Sequence, residues 1–164
     1  MRLDEPSRED VRFVARNMRS RDAAEFLAVS HAETPEELVK GLTNRYGNAP
    51  DAICAYLGYE PVAIGAMIQA RPNVATLGFF ATDRFPEVAR PLTKFIRGRL
   101  FPSYREKGVH RIECISTEGY EDAHRWIGLL GLKHEATMSK YGKGGETYLQ
   151  FAWVADAGST GASE

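Results

Sequence analysis

Cysteine, net charge and long apolar runs are all scarce in this sequence. Among 164 residues there are two cysteines, Cys54 and Cys114, each inside an apolar run, AICAYL and RIECIS. That setting predicts two buried thiols acting as small hydrophobes in a reducing compartment. Lysine and arginine total 21 against 22 aspartates and glutamates, a net charge of -1, so no whole-molecule field draws nucleic acid or an anionic membrane. No stretch approaches the roughly 18 apolar residues that a spanning helix needs, and no membrane partner is expected. The first ten residues, MRLDEPSRED, are charged from the second position and lack the apolar centre of a signal peptide, which predicts a cytoplasmic protein. Catalytic signatures are missing too. There is no Gly-x-Ser-x-Gly elbow, Walker A loop or dinucleotide fingerprint. His31, His110, His124 and His134 fall on different predicted elements, and Glu121 with His124 makes a lone Glu-x-x-His pair, so no metal is expected.

What is present is an ordinary globular balance, 43% apolar and 26% charged. With no repeat and no internal linker it predicts a single domain over residues 10–154. Residues 1–9 read as an N-terminal extension. The stretch 155–164, ADAGSTGASE, holds no large apolar residue and reads as a flexible C-terminal tail.

The alternation in VRFVA, Val11 to Ala15, predicts a short first strand, and Ser20 opens a helix carrying Ala23, Ala24, Leu27 and Ala28. Thr34-Pro35-Glu36-Glu37 combines a capping hydroxyl, a proline at the first helical position and a glutamate three residues after the cap. That helix should run to about Tyr46 and stop at Gly47. From Ala52 the period changes to that of strands: AICAYL, VAIGAMIQA and VATLGFFAT, separated by turns at Gly58–Pro61 and Arg71–Asn73. Their nearly continuous apolar character predicts cover on both faces, hence helices. A helical stretch follows from about Pro86 to Lys107, kinked or bounded by Pro91 and Pro102. HRIECIS reads as a strand, YEDAHRWIGLLG as a helix stopped by Gly131, and LKHEATMSKY with TYLQFAWV as a closing hairpin around Lys143-Gly144-Gly145.

The resulting order, β, α, α, β, β, β, α, β, α, β, β, resembles the element order of the GNAT N-acetyltransferase superfamily over roughly residues 10 to 154. A second likeness lies in Ala123–Leu132, where an alanine is followed eight residues later by a glycine and a large apolar residue, as on the superfamily's late helix. The resemblance implies an α/β (α+β) single domain with a central mixed, mostly antiparallel sheet and helices on both faces. It also implies acetyl-CoA as cofactor and a small amine as acceptor. The pyrophosphate would sit where Arg84-Phe85-Pro86-Glu87-Val88-Ala89 stands. Arg84 and Ala89 fit the family pattern Arg/Gln, two residues, Gly, one residue, Gly/Ala, and Arg90 lies within reach of a phosphate. Glu87 takes the place of the central glycine, and Pro86 removes an amide. A carboxylate about 4 Å from a phosphate charge costs on the order of 1 kcal/mol in water and several in a partly desolvated site. As a plain structural residue, Glu87 complements the dipole of a helix start.

The acyl-pantetheine arm would pair with the backbone of Phe79, Phe80, Ala81 and Thr82. The family's tyrosine acid would fall at Ile127, which cannot transfer a proton, and Tyr120 lies nearly two turns earlier. Asp83 and Glu113 are the nearest candidates for the base that deprotonates the amine, with solvated or ion-paired carboxylates as the plain alternative. Lys94, Arg97, Arg99, Arg105 and Lys107 read as a solvated helix face rather than a nucleic-acid surface, since Phe101 and Tyr104 are too few to stack bases.

A narrower resemblance is to phage-encoded, GNAT-like internal virion proteins. It is carried by Asn17-Met18-Arg19 with Asp22, by Phe80-Ala81-Thr82-Asp83, and by Arg125-Trp126-Ile127-Gly128-Leu129-Leu130-Gly131. It implies virion association and other particle proteins as partners, while Pro86, Glu87 and Ile127, which each remove something the chemistry uses, read as a degenerate acetyl-CoA site. An edge strand such as TYLQFAWV would also suit a homodimer.

Overall fold

In the computed structural model, residues 1–157 are described, and part of the expected tail, 158–164, lies outside them. The chain begins with an edge strand, β1 (Arg2–Asp4), which pairs antiparallel with β2 (Ala52–Leu57). Residues 1–9 therefore supply a strand and the cap of the first helix. That helix, α1 (Arg8–Arg16), replaces the strand expected over Val11–Ala15. Ser7 Oγ accepts the Asp10 N–H at 3.1 Å and Asp10 Oδ2 accepts the Ser7 N–H at 2.9 Å. Val11, Val14 and Ala15, spaced three and four apart, then share one buried face. Over five residues that spacing mimics alternation.

Helix α2 (Ser20–Ala28) and helix α3 (Pro35–Tyr46) follow. The Thr34 hydroxyl accepts the Glu37 N–H at 3.2 Å, as the capping pattern predicts. Strands β2, β3 (Glu60–Arg71) and β4 (Val74–Ala81) form the expected meander. After a 3-10 turn at Phe85–Glu87, the central helical stretch divides into α4 (Ala89–Phe95), a π segment at Ile96–Leu100 and α5 (Phe101–Glu106). Pro102 explains the division. It has no N–H and its ring crowds the carbonyl four residues back, so the chain widens there and the Phe101 N–H reaches Ile96 O. Strand β5 (Arg111–Thr117), helix α6 (Glu121–Leu129), β6 (Lys133–Met138) and β7 (Tyr148–Val154) complete the fold. Gly131, at φ 98°, supplies the left-handed stop after α6.

The seven strands lie in the order β1-β2-β3-β4-β5-β7-β6, and every neighbouring pair is antiparallel except β4–β5. Strand β7, expected at an edge, is interior. Strand β6, exposed along most of its length, forms that edge. One core, with Val14, Tyr46, Ile64 and Phe80, lies under α1–α3, and the other, with Met67, Leu92, Phe101 and Leu130, lies under α4–α6. Helices thus cover both faces of a mixed, mostly antiparallel sheet. No helix among the described residues is long and apolar enough to cross a membrane.

Candidate functional site

The parallel pairing of β4 and β5 stops early. Val74, Ala75 and Thr76 pair with Arg111, Ile112 and Glu113, while β4 continues to Ala81 and β5 to Thr117. Beyond Thr76 the two strands splay. A cleft of about 650 Å³ enters the gap from the α2–α3 side and reaches Trp126 and Ile127 of α6 on the far face. Gly78 keeps the passage narrow but open, because Tyr46 packs against it. A Cβ there would sit 2.6 Å from the Tyr46 hydroxyl.

Helix α2 presents two acids to this gap. Asp22, 4% exposed, accepts the Ala81 N–H at 3.0 Å, the Tyr120 hydroxyl at 2.8 Å and the Arg19 guanidinium at 3.0 and 3.2 Å. The Arg19 N–H donates in turn to Ala81 O at 2.8 Å. Amide and carbonyl of Ala81 are therefore both engaged by α2 on the splayed side. Glu25, one turn further on, receives three hydrogen bonds on a single oxygen. Ser116 Oγ at 2.6 Å, the Thr117 N–H at 2.7 Å and Thr117 Oγ1 at 2.8 Å all donate to Oε1. Oε2 takes none among the described residues, and Glu25 is one of the residues lining the cleft. Burial pushes the Glu25 carboxyl above the ordinary range, against the pull of the Ser116 and Thr117 hydrogen bonds, and the nearby Asp22 charge adds to the rise. Across Ser116 stands His124, whose Nε2 lies 3.0 Å from Thr117 O and 3.2 Å from Ser116 Oγ. A carbonyl only accepts, which assigns the proton to Nε2.

The turn leading into α4 is closed on itself. The Arg84 N–H donates to Thr82 Oγ1, Phe85 N–H to Thr82 O, Glu87 N–H to Arg84 O and Val88 N–H to Phe85 O, while Pro86 has no N–H. The Arg84 guanidinium is likewise occupied. It holds Glu87 in two-pronged fashion at 2.8 and 3.1 Å and Glu60 at 2.9 Å. This pairing lowers the Glu87 carboxyl below its usual range.

Beside that turn an open groove of about 620 Å³ runs along α4, with Arg90, Lys94 and Arg97 on one wall and Trp126 and Leu129 on the other. Trp126 lines both groove and cleft. Its ring packs on Phe79 and Phe85 at centroid distances of 4.4 and 5.1 Å, and its Nε1 donates to Thr93 Oγ1 at 2.8 Å. The indole stands between the two spaces.

In solved structures this architecture recurs. A GNAT-family acetyltransferase from Bacillus anthracis superposes with a TM-score of 0.69 over 94% of this chain and 95% of its own, at 15% identity. A ribosomal-protein-alanine N-acetyltransferase from Brucella melitensis gives 0.67 over 94% and 99%, at 18% identity. Ard1 from Thermoplasma volcanium gives 0.66 over 94% and 97%, at 14% identity. The fold is that of the GNAT acetyltransferases. Neither a protein-family model nor a curated protein sequence matches the chain.

Within the GNAT frame, the residues singled out in the sequence separate into three groups. Ala81 and Thr82 lie at the splay beside Phe79, whereas Phe80 turns its side chain into the α1–α3 core. Arg84 is bound to two carboxylates, Ala89 and Arg90 line the groove, and Ile127 lines the cleft. Asp83 is exposed on the turn after β4 and does not line the cleft. Glu113 is held by Arg111 at 2.5 Å and Arg71 at 3.5 Å, in a cluster that Arg111 extends to Glu135. Glu25 and Ser116, which the GNAT pattern did not point to, line the cleft, and His124 stands behind Ser116.

Lys143 likewise does more than turn a hairpin. Its N–H caps Ala28 O at 2.8 Å and its Nζ reaches Ser30 O and Ala32 O at 3.1 and 2.6 Å, fastening the loop at the cleft mouth. Both cysteines are buried and free, and burial pushes each thiol up to about 12. No three His, Cys, Asp or Glu side chains among the described residues group as metal ligands.

Proposed function

We propose that this chain is a GNAT-fold protein with a degenerate acetyl-CoA site, working through binding rather than acetyl transfer, in the assembly of a phage or prophage particle. The observation that carries the first part is the turn before α4. A pyrophosphate needs bare amides and a free guanidinium, and here the amides of Arg84, Phe85, Glu87 and Val88 are spent inside the turn while Arg84 is neutralised by Glu87 and Glu60. These residues do not fit the cofactor as they stand.

Support for the particle setting comes from the narrower resemblance, whose first two segments pack together in the fold. Arg19 and Asp22 bind Ala81, Met18 bridges Thr82, and the Arg19 guanidinium packs over Phe85, which in turn packs on Trp126. Other particle proteins are the partners on this reading, with the exposed edge β6 available to a second copy, in the host cytoplasm and then the virion.

A second reading, an active N-acetyltransferase acting on an amine, is favoured by the open splay and by the desolvated Glu25 carboxylate facing it. Calorimetry with millimolar acetyl-CoA separates the two. Silence from folded protein is expected, and saturable heat would overturn the proposal. Glu87→Gly removes one of the two carboxylates on Arg84 but leaves Glu60, Pro86 and the turn's other hydrogen bonds in place, so it should restore little affinity. Flanking capsid, portal or tail genes would support the particle setting, and a purely metabolic neighbourhood would count against it.

A further inference from the structure

The helical stretch from Ala89 to Lys107 is positive in a chain whose net charge is -1. It carries Arg90, Lys94, Arg97, Arg99, Arg105 and Lys107 against Glu106 alone. Three of these cations, Arg90, Lys94 and Arg97, form one wall of the open groove beside α4, and none has an ion pair or a side-chain hydrogen bond among the described residues. Spaced four and then three residues apart, they share one face of the helical stretch. The opposite wall is apolar, built from Trp126 and from Leu129, which is 57% exposed at the end of α6. Ala89, Thr93 and Gly98 complete the lining, and their small side chains leave room for another backbone to come close. The Thr93 hydroxyl donates to Ala89 O at 2.6 Å and accepts the Trp126 Nε1–H at 2.8 Å, so it has no free proton for a ligand. The groove therefore offers charge along one wall and apolar surface along the other.

We propose that this groove is a docking site for an acidic amphipathic helix of a partner protein. Carboxylates three and four residues apart on that helix meet Arg90, Lys94 and Arg97, and its apolar stripe lies on Leu129 and the edge of Trp126. A helix suits the spacing because its own side chains recur at the same intervals, and the groove runs between two helices. Nucleic acid suits it less. Single strands need exposed rings to stack on, and Trp126, the aromatic residue of the lining, is 8% exposed with its ring against Phe79 and Phe85. The inference rests on the reading that the chain works through binding, and it names the chemistry of one partner.

The test is fluorescence anisotropy on the full chain with three labelled peptides of one length. Each carries the same leucine stripe on an alanine-rich helix, with Glu, Gln or Lys beside the stripe. The Glu peptide should bind about tenfold more tightly than the Gln peptide, the sum of three exposed ion pairs, and the Lys peptide should be weakest. The triple variant Arg90→Ala, Lys94→Ala, Arg97→Ala should erase the preference for Glu over Gln. An equal loss of charge outside the groove, Arg99→Ala, Arg105→Ala, Lys107→Ala, should keep most of it. Leu129→Ser should weaken the Glu and Gln peptides alike. Equal losses from the two triple variants, or no effect of Leu129→Ser, would mean unspecific attraction to charge and overturn the proposal. So does an oligothymidylate that outcompetes the Glu peptide, which would make the groove a nucleic-acid surface. Acetyl-CoA titrated in parallel keeps the two conclusions apart. If neither it nor any peptide binds, only this proposal falls, and if acetyl-CoA alone binds, both fall.

Discussion

Replacing Asp22 with alanine removes the carboxylate that joins α2 to the end of β4 and to the start of α6. Three groups lose their partner at once: the Ala81 N–H, the Tyr120 hydroxyl and the Arg19 guanidinium. Ala81 and Tyr120 are buried, and the Arg19 side chain is only 20% exposed. The orphaned amide alone costs about 1–3 kcal/mol, and breaking a buried ion pair by removing one partner costs about 3–5 kcal/mol. Tyr120 lines the cleft and can turn to water, and the partly exposed Arg19 can do the same, which brings the total for the three groups to about 3–5 kcal/mol. Against a total stability of about 5–15 kcal/mol, a loss of about 3–5 kcal/mol should lower the urea midpoint by about 1.5–2.5 M at a slope of about 2 kcal/mol/M. Arg19→Ala supplies the control. If the pair acts as one unit, the double variant should lose clearly less than the sum of the single losses. A loss under about 1 kcal/mol for Asp22→Ala, or strict additivity with Arg19→Ala, would refute the account of this junction.

Trp126→Phe keeps a ring against Phe79 and Phe85 but loses the bond to Thr93, and should cost about 0.5–1.5 kcal/mol in urea melts. Trp126→Ala should cost about 3–5 kcal/mol, and a loss no larger than that of the phenylalanine variant would show that the indole is not packed as described. Gly131→Ala forces a side chain into a backbone with φ 98° and should cost roughly 1–2 kcal/mol, whereas an unchanged melting temperature would contradict that conformation. Glu25 holds its proton more tightly in the folded chain than in the unfolded one. The stability this contributes is complete below the ordinary glutamate value of about 4.3 and is lost as pH rises through the raised folded value. The stability of the unaltered protein relative to Glu25→Gln should therefore fall across that window, and a difference constant with pH would count against a raised carboxyl.

The features legible in the sequence were those written within one turn of chain. Thr34, Pro35 and Glu37 announce a helix start without help from elsewhere, and the meander from Ala52 to Ala81 declares itself by period and turn residues. Where the local pattern was too short, it failed. VRFVA fits a strand as well as the face of a helix, and the decisive capping pair, Ser7 with Asp10, lies just upstream. The three polar-flanked residues of β1 carry no strand signal and are held by pairing with residues some fifty positions on, as Arg2 with Tyr56.

The candidate site was harder still, because its acids acquire meaning only through distant partners. Asp22 meets Ala81 and Tyr120, and Glu25 meets Ser116 and Thr117, across separations of 59 to 98 residues. Asp83 and Glu113 drew attention by standing on or beside the right strands, a placement that says nothing of where a side chain points. The departures at Pro86 and Glu87 were visible in sequence, but that Glu87 also captures Arg84 depends on the way the turn folds.

The early end of the β4–β5 pairing has a mechanical side. Strands β1–β4 come wholly from the first half of the chain and β5–β7 wholly from the second, with the helical stretch from Ala89 to Glu106 as the strap between them. The sheet is thus two plates joined along a perforated line, riveted across the gap by Asp22 to Tyr120, Glu25 to Ser116 and Thr117, and the Lys143 N–H to Ala28 O at the end of α2. Force that parts the two plates is carried by the three paired residues of β4 and β5 and by these rivets, and each rivet withdrawn leaves the line weaker.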